Sequence, residues 1–250
     1  MSKRRWEIKQ MADHPNELDI YIYGDVEGDS YSWRTEETVE SETSANHFRA
    51  ELEQHKTAEQ INVYINSNGG SVFEGTAIYN QLKRHPAHKT VYIDGFACSI
   101  ASVIAMAGDE VVMPRNALMM IHNMLMGTWG NAKELRKAAD DLDVINAAGR
   151  NAYLEKSGGK ISEEKLIEMM DAETWLTAEQ CIEYGFADRY ADKDADMSAA
   201  KQVLQSANLN IQQRIDLQKS LSEQLRALED ENNHQKEMKT PNLAKMLAGE

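Results

Sequence analysis

An α/β fold with a C-terminal helical extension is what the sequence predicts, on three observations. Short runs rich in β-branched and aromatic residues end at Gly, Asn or Ser, the pattern of buried strands. Helix-patterned segments separate these runs, as in parallel β/α units joined by right-handed crossovers. After about Asp192 the composition changes: from Met197 to Met238 there is no Gly or Pro, and Gln, Leu, Ser, Glu and Lys dominate.

Three strands are predicted first, at Leu18 to Tyr23, Ile61 to Ile65 and Thr90 to Ile93. Between them, Thr43 to His55 puts Phe48 and Leu52 on one helical face, and Val72 to Arg84 does the same with Ile78, Tyr79 and Leu82. Two further short strands follow at Glu110 to Met113 and Leu118 to Ile121, joined through Pro114-Arg115-Asn116. A long helix spans Lys133 to Leu154 and stops at Ser157-Gly158-Gly159. Ser162 starts another helix, and Thr177-Ala178-Glu179-Gln180 opens one that ends at Gly185.

In the tail, Leu204, Ile211, Leu221, Leu225 and Leu228 fall near heptad spacing, while Arg214 and Gln218 interrupt the seam. A coiled coil and a solvated amphipathic helix packed on a partner are equal readings. The expected organisation is an N-terminal segment 1–17, an α/β domain 18–192 and a helical tail 193–250.

Charge and composition narrow the function. A net charge of -14 over 250 residues argues against nucleic acid as a partner, because phosphate recognition needs a basic face. Two cysteines, Cys98 and Cys181, form neither a disulfide framework nor a metal-ligand spacing. The basic start has no apolar run behind it, so it does not read as a signal peptide. The longest apolar run, Ile100 to Ala107, is too short to span a bilayer. The expectation is an intracellular, soluble protein. Its 13 methionines are assigned mainly to core and subunit contacts.

Two small-residue segments can carry chemistry. Gly95-Phe96-Ala97-Cys98-Ser99-Ile100-Ala101-Ser102 follows a strand and opens a helix, so Ser99 can present its oxygen beside the free N–H groups of a helix start. Gly69-Gly70 follows the strand at Ile61 to Ile65, and bare glycines let backbone N–H groups approach a ligand. A plain strand-to-helix turn explains that pair equally well. It is not a phosphate loop, for no Lys-Ser or Lys-Thr follows at the required spacing. His122 differs from the other histidines because it ends the apolar run Leu118 to Ile121. His14, His47, His55 and His234 lie in polar surroundings, and His85 and His88 flank Pro86 in a loop. A serine base must cycle its proton near neutral pH, which histidine does.

Four stretches, taken together, resemble the proteolytic subunit of Clp protease. They are Tyr64 to Val72, Gly95 to Ser99, Met120-Ile121-His122, and Leu176-Thr177-Ala178-Glu179 through Tyr184-Gly185, in family order and at similar spacing over roughly residues 18–192. The segment Asp171-Ala172-Glu173-Thr174-Trp175 is similar to the Clp-like head maturation (prohead) proteases of tailed phages. The resemblance implies a ClpP/crotonase-like arrangement of repeated ββα units. It implies Ser99 as nucleophile, His122 as general base and acid, and the N–H groups of Gly70 and Ile100 as the oxyanion hole. Gly69, Ser71 and Asn123 become substrate-binding positions, with the peptide added as a strand. The family's acid falls on Glu173 by gap-free counting from Leu176, which makes Glu173 the preferred third member; Asp171, which has the family's usual residue type, is the alternative.

This chain departs from the family in having Asn68 where Pro usually precedes the glycines, Cys98 where Ala precedes the nucleophile, and an N-terminal segment unlike the apolar axial loop that engages an unfoldase. Cys98 is a rival nucleophile in principle, and ATPase partnership is open. The resemblance implies a serine endopeptidase acting on protein or peptide substrates, capsid or scaffold precursors among them, in the host cytoplasm if phage-encoded. Its subunits are expected to close into a homo-oligomeric ring through Lys133 to Leu154. The apolar insertion Met124 to Gly130 reads either as substrate-binding or ring-stacking surface or as ordinary core. No metal or organic cofactor is implied. Other readings are a general Clp-type degradative subunit working with an ATPase, a crotonase-type acyl-CoA enzyme, a Ser-Lys peptidase, and a non-catalytic assembly protein.

Overall fold

The computed structural model describes residues 6–11, 14–32 and 34–192; the tail assigned as helical lies outside the described residues. The elements run β1 (Trp6–Met11), β2 (His14–Val26), β3 (Ser30–Ser32), β4 (Glu37–Val39), α1 (Ala45–Gln54), β5 (Gln60–Gly70), α2 (Val72–Arg84), β6 (His88–Cys98) and α3 (Ile100–Ala105). They continue with β7 (Glu110–Met113), β8 (Leu118–Ile121), α4 (Ala132–Ser157), α5 (Glu163–Asp171), β9 (Thr174–Thr177), α6 (Ala178–Tyr184) and β10 (Arg189–Tyr190).

The main sheet is mixed and mostly parallel, in the order β1-β2-β5-β6-β7-β10, with β1 antiparallel at one edge. Alternation along the strands separates its two faces. Leu18, Ile20 and Ile22 of β2, Ile61, Val63 and Ile65 of β5, and Val91 and Ile93 of β6 are buried in one core with Phe48, Leu52, Ile78 and Leu82 from α1 and α2. The intervening positions carry Tyr21, Tyr64 and Tyr92, whose rings stack across the strands at 4.7 and 5.1 Å. Every helix but α3 among the described residues begins at a side-chain cap: Ser44, Ser71, Asn131, Ser162 and Thr177 each accept a backbone N–H of the first turn. No helix among the described residues is long and apolar enough to cross a membrane.

One feature of the topology creates the site. β6 pairs with β7 through Thr90 to Tyr92, and then, six residues from the start of that pairing, with β8 through Phe96 to Cys98. The strand therefore forks, and its far end lies beside β8 rather than β7. β8 in turn pairs antiparallel with β9, which lies off the main path.

The structure extends the sequence reading in several places. β5 and β6 run on to Gly70 and Cys98, well beyond the apolar runs that predict them. A register irregularity after Ile65 lets Ser67 pair with Ala97, so pairing continues through small and polar residues. β1, the β3–β4 hairpin, β9 and β10 are additional strands that gave no clear alternation. Glu110–Met113 and Leu118–Ile121 are strands as expected, and they pair not with each other but with successive stretches of β6, β7 also taking β10 and β8 taking β9.

Candidate active site

Ser99 stands where β6 hands over to α3, with φ 55° and ψ -130°. That conformation is rare for a side chain bearing a Cβ and costs on the order of 1–3 kcal/mol, so the surroundings must enforce it. The Ser99 N–H donates to the carbonyl of Met120 at 2.9 Å. The Ser99 carbonyl accepts from the Ser102 N–H at 3.0 Å and from the Ser102 hydroxyl at 2.5 Å. Its own hydroxyl makes no capping bond to α3. Instead, Ser99 Oγ lies 2.7 Å from His122 Nε2, a hydrogen bond between the residues just past the ends of β6 and β8, which the fork in the sheet brings together.

Gly69 and Gly70 lie against this turn for steric reasons. Gly69 has φ +91°, and a Cβ there would stand 2.8 Å from Ser99 Cβ and 2.7 Å from the Cys98 carbonyl oxygen. Gly70 has φ +148°, and its Cβ would stand 2.2 Å from the Val26 carbonyl oxygen. Only bare backbone fits either position. Ser67 fastens the segment, its Oγ accepting from Gly69 N–H at 3.0 Å and donating to the Gly24 carbonyl at 2.5 Å. Ile100 is the first residue of α3, where an N–H has no carbonyl one turn earlier within the helix. Its side chain is buried over Gly75, where any Cβ would meet Ile100 Cγ1 at 2.2 Å.

His122 follows the last residue of β8 and is half-buried. Burial pulls its pKa below the ordinary 6.5, and the negative charge of Glu173 pulls the other way with smaller effect. The imidazole is thus neutral at neutral pH and able to accept a proton. The β8–β9 ladder ends with Ile121 opposite Thr174, and His122 and Glu173 are the residues that adjoin that last pair. Glu173 is exposed and has φ 49°. It reaches the imidazole through charge; among the described residues no hydrogen bond joins the two. Asp171 is exposed at the end of α5, and its Oδ1 accepts from Asn123 Nδ2 at 2.6 Å.

The remaining candidates divide. Ser71 caps α2, its Oγ accepting from Glu74 N–H at 3.4 Å while its own N–H donates to the Val26 carbonyl. Cys98 points to the other side of β6 from Ser99, into a small apolar cluster with Phe96, Leu118 and Met120, and burial pushes its thiol up to about 12. A thiol held that far from ionisation is a poor nucleophile at neutral pH. His85 is half-buried, its Nδ1 accepting from Ala87 N–H at 3.2 Å. In the insertion after His122, Met124 is buried while Leu125, Met126 and Trp129 are exposed.

Sequence reasoning missed Ser102 and Tyr153. Ser102 Oγ, fully buried, lies 2.7 Å from Tyr153 Oη, and Tyr153 is itself buried against Phe186. The one signal was a polar residue inside the apolar run Ile100 to Ala107; nothing local pointed to Tyr153 as its partner.

The fold and site together define a mixed α/β protein with a serine–histidine pair at a strained strand-to-helix turn, flanked by glycine backbone. The chain belongs to the Clp protease family, which matches residues 35–194. It is 34% identical over 163 residues to the ATP-dependent Clp protease proteolytic subunit 1 of Streptomyces avermitilis, covering 62% of this chain and 73% of that protein. It is 31% identical over 169 residues to the ATP-dependent Clp protease proteolytic subunit 3 of Streptomyces coelicolor, covering 65% and 76%. The proteolytic subunit of Deinococcus radiodurans is 30% identical over 145 residues, covering 57% and 70%.

Proposed function

We propose that this chain is a serine endopeptidase in which Ser99, His122 and Glu173 act as nucleophile, base and orienting acid. The observation that carries the reading is the 2.7 Å contact between Ser99 Oγ and His122 Nε2 at the strained end of β6. Ser99 Oγ attacks the scissile carbonyl carbon while its proton passes to His122 Nε2. The carbonyl oxygen gathers negative charge and is held by the N–H groups of Gly70 and Ile100. The C–N bond then breaks, the leaving amine takes the proton from His122, and an acyl group remains on Ser99. Water, deprotonated by the same imidazole, releases it. Glu173 holds the imidazolium that forms transiently. Gly69, Ser71 and Asn123 line the path of an extended substrate strand, with Ser71 contributing through backbone because its side chain caps α2.

The natural role in this reading is phage head maturation, the substrates being capsid or scaffold precursors. It rests on the likeness of residues 171–175 to that group and on the compositional break after Asp192. The repeated ββα arrangement, the homo-oligomeric ring and the helical tail as a docking or self-cleaved appendage belong to the same reading. The exposed Leu135 and Val144 on α4 favour subunit contact there.

The test mixes the full chain with fluorophosphonate, with casein and with a capsid precursor, each beside Ser99→Ala. Labelling and cleavage that vanish in the variant are expected. Retention of acyl-CoA without labelling overturns the peptidase in favour of a crotonase-type enzyme. Casein cleavage that needs an added ATPase, with the capsid precursor left intact, moves the role to general degradation.

A further inference from the structure

The peptide unit between Ser99 and Ile100 is where the strained turn and the oxyanion donor meet. Its carbonyl belongs to Ser99 and its N–H to Ile100, and a trans peptide is planar, so the two groups point in opposite directions. Fixing one therefore fixes the other. The Ser99 carbonyl is gripped twice by Ser102, through the N–H at 3.0 Å and through the hydroxyl at 2.5 Å. The Ser102 hydroxyl has a single proton. With that proton on the Ser99 carbonyl, the contact to Tyr153 at 2.7 Å has the phenol as donor. Ser102 Oγ also lies 3.3 Å from the Met120 carbonyl, the same carbonyl that accepts the Ser99 N–H. Both groups are buried, Ser102 at 0% and Tyr153 at 1% exposure, so water does not compete.

We infer that Ser102, held by Tyr153, is a positioning residue that locks the Ser99–Ile100 peptide plane and so aims the Ile100 N–H at the developing oxyanion. The inference rests on the proposed peptidase mechanism and extends it from the groups facing substrate to the buried pair behind them. The hydroxyl matters more here than in an ordinary helix. α3 has only six residues and its first residue follows a positive-φ turn, so helix geometry alone holds the plane weakly. Tyr153 lies near the end of α4, over fifty residues from Ser102, so the lock spans α3 and α4.

The experiment measures fluorophosphonate labelling of the full chain as a rate against pH, and casein cleavage as kcat and KM, for Ser102→Ala, Ser102→Thr and Tyr153→Phe. The phosphonyl oxygen occupies the same hole as the oxyanion. Ser102→Ala is expected to lower the labelling rate and kcat by about tenfold or more with KM little changed, since it weakens an interaction made in the transition state. The midpoint of the pH profile should not move, because His122 is not touched. Ser102→Thr keeps a hydroxyl and should restore most of the rate. Tyr153→Phe should give a smaller loss in the same direction, and it removes one oxygen without a change of shape if Ser102→Ala fails to fold. Unchanged kcat in both Ser102→Ala and Tyr153→Phe overturns the inference while leaving the peptidase reading intact. Equal losses in Ser102→Ala and Ser102→Thr, or a shifted pH midpoint, also overturn it, for they report general loosening. Loss of the peptidase reading itself would show separately, as labelling that survives Ser99→Ala.

Discussion

His122 and Glu173 are the next residues along each strand after Ile121 and Thr174, the final pair of the β8–β9 ladder, and the charge of Glu173 acts on the imidazole. Asp171, two residues earlier, is engaged elsewhere by Asn123 at 2.6 Å. Asn123 thus holds one of the two carboxylates, while the charge of the other acts on His122.

Glu173→Gln is expected to lower kcat by roughly 10²–10⁴-fold, as loss of the charge behind a catalytic histidine does. Because Glu173 raises the His122 pKa, the acid limb of the pH–rate profile should move to lower pH in that variant. Asp171→Asn should change kcat by less than about threefold, an exposed hydrogen bond being worth little. Single-turnover acylation distinguishes them, and a Glu173→Gln enzyme as fast as the parent would remove Glu173 from the mechanism.

In the proposed mechanism, burial of His122 sets the working pH. Its folded pKa lies below 6.5, so the neutral base persists at mildly acidic pH, and the acid limb of kcat/KM should have its midpoint under that value. The sign for stability follows from the same depression. The contribution is fully present above the unfolded value of 6.5 and is lost as pH falls through the lower folded value. Denaturation of Ser99→Ala and of Ser99→Ala combined with His122→Gln, measured across that window, should show the pH slope of the first reduced in the second.

Gly69→Ala should cost about 1–3 kcal/mol for the φ alone and should abolish labelling, because the added methyl displaces Ser99. Gly127 has no atom within 4 Å of an added Cβ, and Gly127→Ala should stay within about 0.5 kcal/mol of the parent. Thermal melts and labelling rates together check both; a Gly69→Ala protein with normal labelling contradicts the packing described for the turn.

Cys98→Ala should remain active, its thiol being buried away from the Ser99 side of β6 and held up at about 12. Ser99→Ala with Cys98 intact should leave no casein cleavage that a thiol reagent removes. Residual, reagent-sensitive cleavage would make Cys98 a nucleophile after all.

Much of the fold was legible because its signals are local. Runs of β-branched and aromatic residues mark β2, β5 and β6, while Ser162 and Thr177 start helices where capping chemistry puts them. Val72 to Arg84 and Leu118 to Ile121 have the bounds expected from pattern alone. The extension of β5 through Asn68, Gly69 and Gly70 was not legible, since pairing with a neighbour overrides poor strand propensity. In the site, Ser99 and His122 could be picked out by residue type and order, but not their contact, which needs the fork of β6 between β7 and β8. The tie between Ser102 and Tyr153 joins positions 51 residues apart and leaves no mark in either neighbourhood.

The fork also sets a timetable. Ser99 emerges during synthesis well before β8 exists to receive its N–H, and before Thr174 to Thr177 can cover the other edge of β8. Parallel pairings close long loops and form late. A growing chain that has reached only α4 therefore carries the hydroxyl and the imidazole without the neighbouring carboxylate. In the proposed mechanism the three groups therefore meet only when nearly the whole of the described domain has left the ribosome.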